Sequence, residues 1–301
     1  MSDIIITNKR LKDIVELFIV ELKPNTTLTT LKNTKHRLNV FINWLNENQL
    51  KEDIKTSLLT FKSFLKDKYN SASSINAVLS TVRTFYKWLY SKGLIEYNPA
   101  QVLTNEKTND DVKRAALSKY QIEQIYNKFN RTKSSTGQRD KLIFTLGLMN
   151  GLRVNELANI RIEDISEIQG HTVVYLLRKG YSNKDTYVKL KDDVAALLSA
   201  YIGDKTNGYL FTNSRTNDRL TTDSISRIIK GIYISNGLND KKLTAHSLRH
   251  TYALLCLDGG ADIMSLSVSM NHKNISTTQH YLKSFNKLKN SAADKINIGV
   301  L

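Results

Sequence analysis

The chain has 301 residues, 41% of them hydrophobic and 24% charged, with 44 Lys+Arg against 28 Asp+Glu and a formal charge of +16. That length buries a core unaided; the lone cysteine, Cys256, excludes an internal disulfide and a cysteine zinc cluster, and 13 Gly with 2 Pro exclude collagen-like and low-complexity classes. With no apolar run near the ~18 residues of a membrane span and no signal-peptide pattern in Met1-Ser-Asp-Ile-Ile-Ile-Thr7, a cytoplasmic protein is expected, its basic excess suited to nucleic acid or an anionic membrane surface.

The first hundred residues predict four amphipathic helices. Leu11, Ile14, Val15, Phe18, Ile19 and Leu22 follow an i, i+3, i+4 rhythm that stops before Pro24. Leu28, Leu31, Leu38, Phe41, Ile42 and Leu45 mark a second helix, and Ile54, Leu58, Phe61, Phe64 and Leu65 a third. A fourth opens near Ser73 with Ile75, Val78, Leu79, Val82, Phe85, Tyr86 and Leu89, and Gly93 stands where a C′ glycine would end it. These make a small all-α unit over residues 1–97.

Residues 98–116 break the rhythm with Asn98-Pro99 and the polar run Thr104–Asp111, and read as an interdomain linker. Periodicity resumes after Ser118, which heads a Ser-x-x-Gln capping box with Gln121. The second unit, over 117–283, is mainly helical except where Val173–Leu177 and Tyr187–Leu190 predict strands joined by a turn over Lys179–Asp185. The expected fold class is therefore mainly α with a small antiparallel β-sheet in the C-terminal domain. Residues 1–112 hold 16 Lys+Arg against 12 Asp+Glu, and residues 113–301 hold 28 against 16, so the second unit is the stronger seat for phosphate chemistry.

Three clusters carry chemistry. In Asn150-Gly-Leu-Arg-Val-Asn-Glu-Leu157 an apolar helix ends at Gly151 and a new helix begins at Arg153. A guanidinium at a helix start suits an anion, and Glu156, three residues on, can hold it. In His246-Ser-Leu-Arg-His-Thr-Tyr-Ala253, His246 and Arg249 are helical neighbours that pair a titratable imidazole with a permanent cation. In Met270-Asn-His-Lys-Asn-Ile-Ser-Thr-Thr-Gln-His-Tyr281, Ser276 and Gln279 form a second capping box for a short helix bearing Tyr281, with His272 in the turn before it. Each cluster alone is more simply a structural pair or a core residue.

Taken together and in this order, they resemble the tyrosine recombinase (phage integrase) family. The resemblance rests on Gly151-Leu-Arg-Val-Asn-Glu-Leu157, His246-Ser-Leu-Arg-His-Thr251, and His272 with Thr277-Thr-Gln-His-Tyr281. Arg178-Lys-Gly180 matches the family's lysine-bearing β-turn. It covers nearly the whole chain and implies a four-helix core-binding (SAM-like) domain, a linker and a catalytic domain. It also implies a site-specific recombinase that cuts and rejoins DNA through a 3′-phosphotyrosyl intermediate, for integration, excision or dimer resolution. Tyr281 would be the nucleophile, Arg153 and Arg249 would clamp the non-bridging oxygens, and His272 would add a donor. His246 would assist proton removal and Lys179 would protonate the leaving 5′ oxygen, with Glu156 a support. Lys184 is a second lysine in the same hairpin. The family usually has Leu-Gly-His where this chain has Met270-Asn-His272.

The chemistry is coherent with those roles. A free tyrosine has a pKa of about 10, so it needs a base or a positive field to attack at neutral pH. Two arginines, a lysine and two histidines supply that field. No metal or other cofactor is expected, since there is no carboxylate cluster and no P-loop. On the second and fourth N-terminal helices, Lys32, Lys35, His36, Asn39, Asn43, Asn76, Ser80, Arg83 and Lys87 lie opposite the apolar stripes. Lysine and arginine there suit phosphates and asparagine suits adenine edges, giving Lys32, Lys35, Asn39, Asn76, Arg83 and Lys87 as DNA-binding candidates; a solvated face is the alternative.

The tail over 284–301 carries Phe285, Leu288, Ala292 and Ile296. The resemblance implies that such a tail packs on a neighbouring protomer or in cis, within a homotetramer on two double-stranded DNA sites that is a monomer or dimer off DNA. It also implies a nucleoid-associated protein without a membrane role, of a simple two-domain type that includes Xer-like enzymes and small mobile-element integrases, and leaves room for an accessory directionality factor. A type IB topoisomerase-like nicking-closing enzyme and a non-catalytic DNA-binding regulator are the rival readings.

Overall fold

Helix α1 (Asn8–Leu22) buries Leu11, Val15 and Phe18 against α2 (Leu28–Glu47) and α4 (Ala72–Ser91), with α3 (Ile54–Lys68) completing the same core, in the computed structural model, which describes residues 8–48, 53–107, 115–132, 134–177, 184–271 and 278–279. Each helix start has a local reason. Thr27 caps α2 by accepting from the Thr30 N–H at 3.3 Å, and Asp53 caps α3 by accepting from the Lys55 and Thr56 N–H groups at 2.8 and 3.2 Å. The end of α4 is a Schellman closure: Gly93 takes φ +67°, its N–H reaches the Tyr90 carbonyl, and the Leu94 N–H reaches Leu89. Rings fill the centre, with Phe41 and Phe61 centroids 4.9 Å apart and Phe18 and Phe85 5.3 Å apart. Leu28, expected in this core, is instead 71% exposed, because it occupies the first turn of α2 ahead of its buried stripe.

The start of the polar stretch read as linker lies on this unit. Asn98 caps a 3-10 turn (Pro99–Val102), and Pro99, Ala100 and Leu103 are buried. The extended residues that follow are held by side chains of α3 and α4. Asn76 pairs both edges of the Glu106 peptide, donating to its carbonyl at 2.9 Å and accepting from its N–H at 2.7 Å. Arg83 donates to the Leu103 carbonyl at 2.9 Å and to Asn105 at 2.6 Å. Lys62 and Lys66 flank the Glu106 carboxylate at 2.9 and 3.2 Å and, Lys62 foremost, hold it below the usual carboxylate range. Composition alone reads this segment as linker because its anchors are four residues on other helices.

The second unit, Lys113–Leu301, is organised around α6 (Ser135–Met149). Residues Leu142 to Leu148 of α6 are all buried, as a helix apolar on every side requires. Around it lie α5 (Lys119–Asn130), α7 (Val154–Asn159), α8 (Asp192–Ile202), α9 (Thr222–Ser235) and α10 (Ala245–Asp258), with α11 (Ile263–Ser269) against α10. The Ser118–Gln121 capping box of α5 is present in both directions, at 3.2 and 2.9 Å. Strands β1 (Ile165–Ile168), β2 (His171–Leu176) and β3 (Thr186–Lys189) form an antiparallel sheet in that order, with Val174 opposite Ile165 on one side and Val188 on the other. The fold is thus mainly helical with one small antiparallel sheet, as the sequence predicts. Strand β1 is the addition: its alternation is too short to stand out, and Gln169 and Gly170 close its hairpin with positive φ. Among the described residues no helix is long and apolar enough to cross a membrane.

Candidate active site

The first cluster is built on a reversal that only glycine permits. Helix α6 is capped by Asn150, and Gly151 turns the chain with φ +63°. A Cβ on Gly151 would stand 2.5 Å from Cδ1 of Tyr252. Arg153 follows as the N-cap of α7 in extended conformation. Glu156 reaches back with both oxygens, accepting from the Arg153 N–H at 2.7 Å and from Nη1 at 2.8 Å. Its side chain is 5% exposed against 37% for Arg153. A buried carboxylate therefore aims a guanidinium that remains open to solvent.

The second cluster lies on α10. His246 is half-buried in the first turn, and Thr244 and Ser247 close the helix start through a Thr244 N–H to Ser247 Oγ bond of 3.0 Å. Arg249 is only 2% exposed. Its Nη1 donates to the Gly151 carbonyl at 2.6 Å and its Nη2 to the Met270 carbonyl at 2.5 Å. One cation thus joins the turn two residues before Arg153 to the turn two residues before His272. A guanidinium has five N–H donors, and these carbonyls account for two. Three residues further along α10, Tyr252 packs on Gly151, and burial pushes its phenol up to about 12. Burial also raises the Cys256 thiol, the opposite of an activated thiolate.

The outgoing leg of the hairpin is pinned at three points. Lys184 forms an ion pair with Asp164 and also donates to the Asn159 carbonyl at 3.2 Å. Thr186 donates from its hydroxyl to Asn271 Oδ1 at 2.7 Å, and the Lys189 carbonyl accepts from Asn150 Nδ2 at 3.0 Å. Lys179, His272 and Tyr281 lie outside the described residues, as do Ser276 of the second capping box and the tail over 284–301. Thr278 and Gln279, three and two positions before Tyr281, are helical, and Thr278 is fully buried. Thr186 and Asp164 carry no signal in the sequence, whereas Asn271 stands where the resembled family usually has glycine. Glycine and asparagine are the residues that most readily take left-handed backbone after a helix, and Asn271 has φ +49°.

On the N-terminal unit, Lys32, Lys35, Asn39 and Lys87 are exposed, and Lys35 pairs with Glu16 at 2.5 Å. Asn76 and Arg83 are the two that hold residues 103–106, so the six DNA-binding candidates divide into an exposed four and a structurally engaged two.

This arrangement matches known proteins along nearly its full length. Residues 115–287 match the phage integrase family and residues 15–93 the phage integrase N-terminal SAM-like domain. The chain belongs to the phage integrase family. A tyrosine recombinase XerC of Syntrophus aciditrophicus is 30% identical over 287 residues, covering 87% of this chain and 89% of the relative. A XerC of Oceanobacillus iheyensis is 28% identical, covering 87% and 88%. Among solved structures, XerH site-specific recombinase bound to a palindromic difH substrate matches with TM-score 0.74 at 18% identity, over 95% of this chain and 84% of that one. A lambda integrase dimer bound to a COC′ core site matches with TM-score 0.70 at 17% identity, over 89% and 96%. The two structures establish the shared fold. As a phage integrase family member the chain is a tyrosine-type recombinase, and the sequence resemblance and the SAM-like helical unit are both correct.

Proposed function

We propose that this recombinase cuts and rejoins double-stranded DNA at a defined site, with Arg153, Lys179, His246, Arg249, His272 and Tyr281 as its catalytic residues. The Tyr281 phenol attacks the scissile phosphorus while His246 assists removal of its proton. The bond from phosphorus to the 5′ oxygen breaks, Lys179 protonates that oxygen, and the protein is left joined to the 3′ phosphate. Arg153, Arg249 and His272 stabilise the charge that spreads over the non-bridging oxygens. Attack by a second 5′ hydroxyl reverses the steps and reseals the strand. The phosphotyrosyl bond keeps the energy of the phosphodiester, so no nucleotide is consumed.

The observation that carries this reading is the buried Arg249 bridge between the turns leading to Arg153 and His272, which draws distant stretches of sequence around one point. The Lys184–Asp164 ion pair supports Lys179 as the acid, since Lys184 already has a partner. The exposed Lys32, Lys35, Asn39 and Lys87 are the proposed DNA contacts of the N-terminal unit. The proposed division is a helical unit over 1–97, a linker over 98–116 whose first residues rest on that unit, and a catalytic unit over 117–283, with a tail over 284–301 that packs in trans or in cis within a tetramer on two DNA sites in the nucleoid.

The test is denaturant-resistant capture of protein-linked DNA from the host cell, followed by sequencing, with Tyr281→Phe as control. Discrete sites captured only by the native tyrosine are expected. Scattered tyrosine-dependent capture would mean a nicking-closing enzyme without a site. Capture that survives Tyr281→Phe would remove Tyr281 as nucleophile.

A further inference from the structure

Asn271 is unusual in three respects at once. It follows Met270, the C-cap of α11, and adopts φ +49°, backbone that side chains other than asparagine or glycine seldom take. It is half-buried, whereas Gln169 and Asn217, the other described non-glycine residues with positive φ, are exposed. Its amide oxygen accepts from the Thr186 hydroxyl at 2.7 Å, across 85 positions of sequence.

The two ends of that bond are informative. Thr186 opens β3 and pairs with Leu176 of β2, so it stands at the base of the hairpin whose loop contains Lys179. Asn271 immediately precedes His272, and the carbonyl before it, that of Met270, is held by Arg249. The turn is thereby fixed by a main-chain bond on one side and a side-chain bond on the other. A left-handed residue set between two such anchors has little freedom to move alone.

We infer that Asn271 is a positioning residue that couples the seat of the Lys179 hairpin to the placement of His272, so that the proton donor and a phosphate-binding donor are presented together. It contacts neither DNA nor the reacting atoms; it acts through the hairpin and the turn. The inference rests on the reading that Lys179 and His272 serve cleavage. Glycine at this position would keep the backbone and lose the tie, whereas Thr186→Val would lose the tie from the other side and leave Asn271 intact. The two lesions are chemically unlike and share only the hydrogen bond.

The experiment is single-turnover cleavage of a nicked suicide duplex carrying the captured site, with Asn271→Gly, Thr186→Val, the double variant and Lys179→Ala. Each variant is also measured on the same duplex with sulfur in place of the bridging 5′ oxygen, a leaving group that needs no acid. Each single coupling variant is expected to cleave about tenfold more slowly with DNA affinity within about twofold, a loss in the chemical step alone. The double variant is expected to be no slower than either single, because both remove one interaction. The bridging sulfur is expected to restore part of the lost rate, the share that the acid supplies, and no restoration would overturn the coupling to the Lys179 hairpin. Wild-type rates in the single variants, or additive losses in the double, would overturn the inference. Failure of the sulfur substrate to rescue Lys179→Ala would overturn the underlying assignment of Lys179 instead, which separates the two.

Discussion

The Arg249 guanidinium donates to the carbonyl of Gly151 at 2.6 Å from 98 positions along the chain, and through this bond the turn before Arg153 is attached to helix α10. The second bond, to Met270, makes the same side chain a two-ended strut. Burial strengthens both bonds and makes the loss of either expensive.

Arg249→Lys keeps the charge and cannot span the two carbonyls. It is expected to lower stability by about 3–5 kcal/mol, as breaking a buried charged network does, and to abolish strand cleavage. Urea unfolding followed by suicide-duplex cleavage checks both. Unchanged stability would mean that the strut carries no load.

Gly151→Ala combines left-handed strain with a Cβ 2.5 Å from the Tyr252 ring. A loss of about 2–4 kcal/mol is expected from strain and overpacking together. Adding Tyr252→Leu makes room and should return the overpacking part only, so the pair of unfolding curves separates the two causes.

Asn76→Ala and Arg83→Ala remove the clamp on residues 103–106, and each is expected to lower stability by about 1–2 kcal/mol. Lys32→Ala and Lys87→Ala, on exposed positions, should leave stability within about 0.5 kcal/mol and reduce the salt slope of DNA binding by about one each. Should Asn76→Ala keep the native melting point and change only DNA affinity, the clamp is not its role.

Tyr252 has its pKa raised by burial from the ordinary 10 to about 12. In the unfolded chain the phenol ionises near 10, while the folded protein keeps its proton longer. Its contribution is therefore complete below pH 10 and is lost as the pH climbs from 10 towards 12. Tyr252→Phe should flatten the alkaline fall of the melting temperature in that window; an unchanged fall would assign it to other buried phenols such as Tyr86 and Tyr233.

Much of the fold was legible because its causes are local. The buried stripes of α1 to α4, the Ser118–Gln121 box and the Gly93 closure depend on residues within a few positions of one another. Glu156 was legible too, being three residues from Arg153 on one helix start. The bonds of Asn76 and Arg83 to residues 103–106 are not legible in the sequence, because helical periodicity reports which face a side chain is on and not what lies against it. The segment they hold arrives from some 20 to 30 positions away. Leu28 is exposed where the stripe predicts core, since periodicity says little about a first-turn residue.

By itself the sequence determined the four N-terminal helices, the Ser118–Gln121 box, the Gly93 stop and the residue types proposed for catalysis, because helix propensity, capping and charge act within a few residues. The tertiary structure alone decided that Arg249 is buried between two carbonyls, that Lys184 pairs with Asp164, and that Asn271 answers to Thr186. Those partners are set by where the packed core brings distant backbone together, and no spacing along the chain encodes a contact between residues 186 and 271.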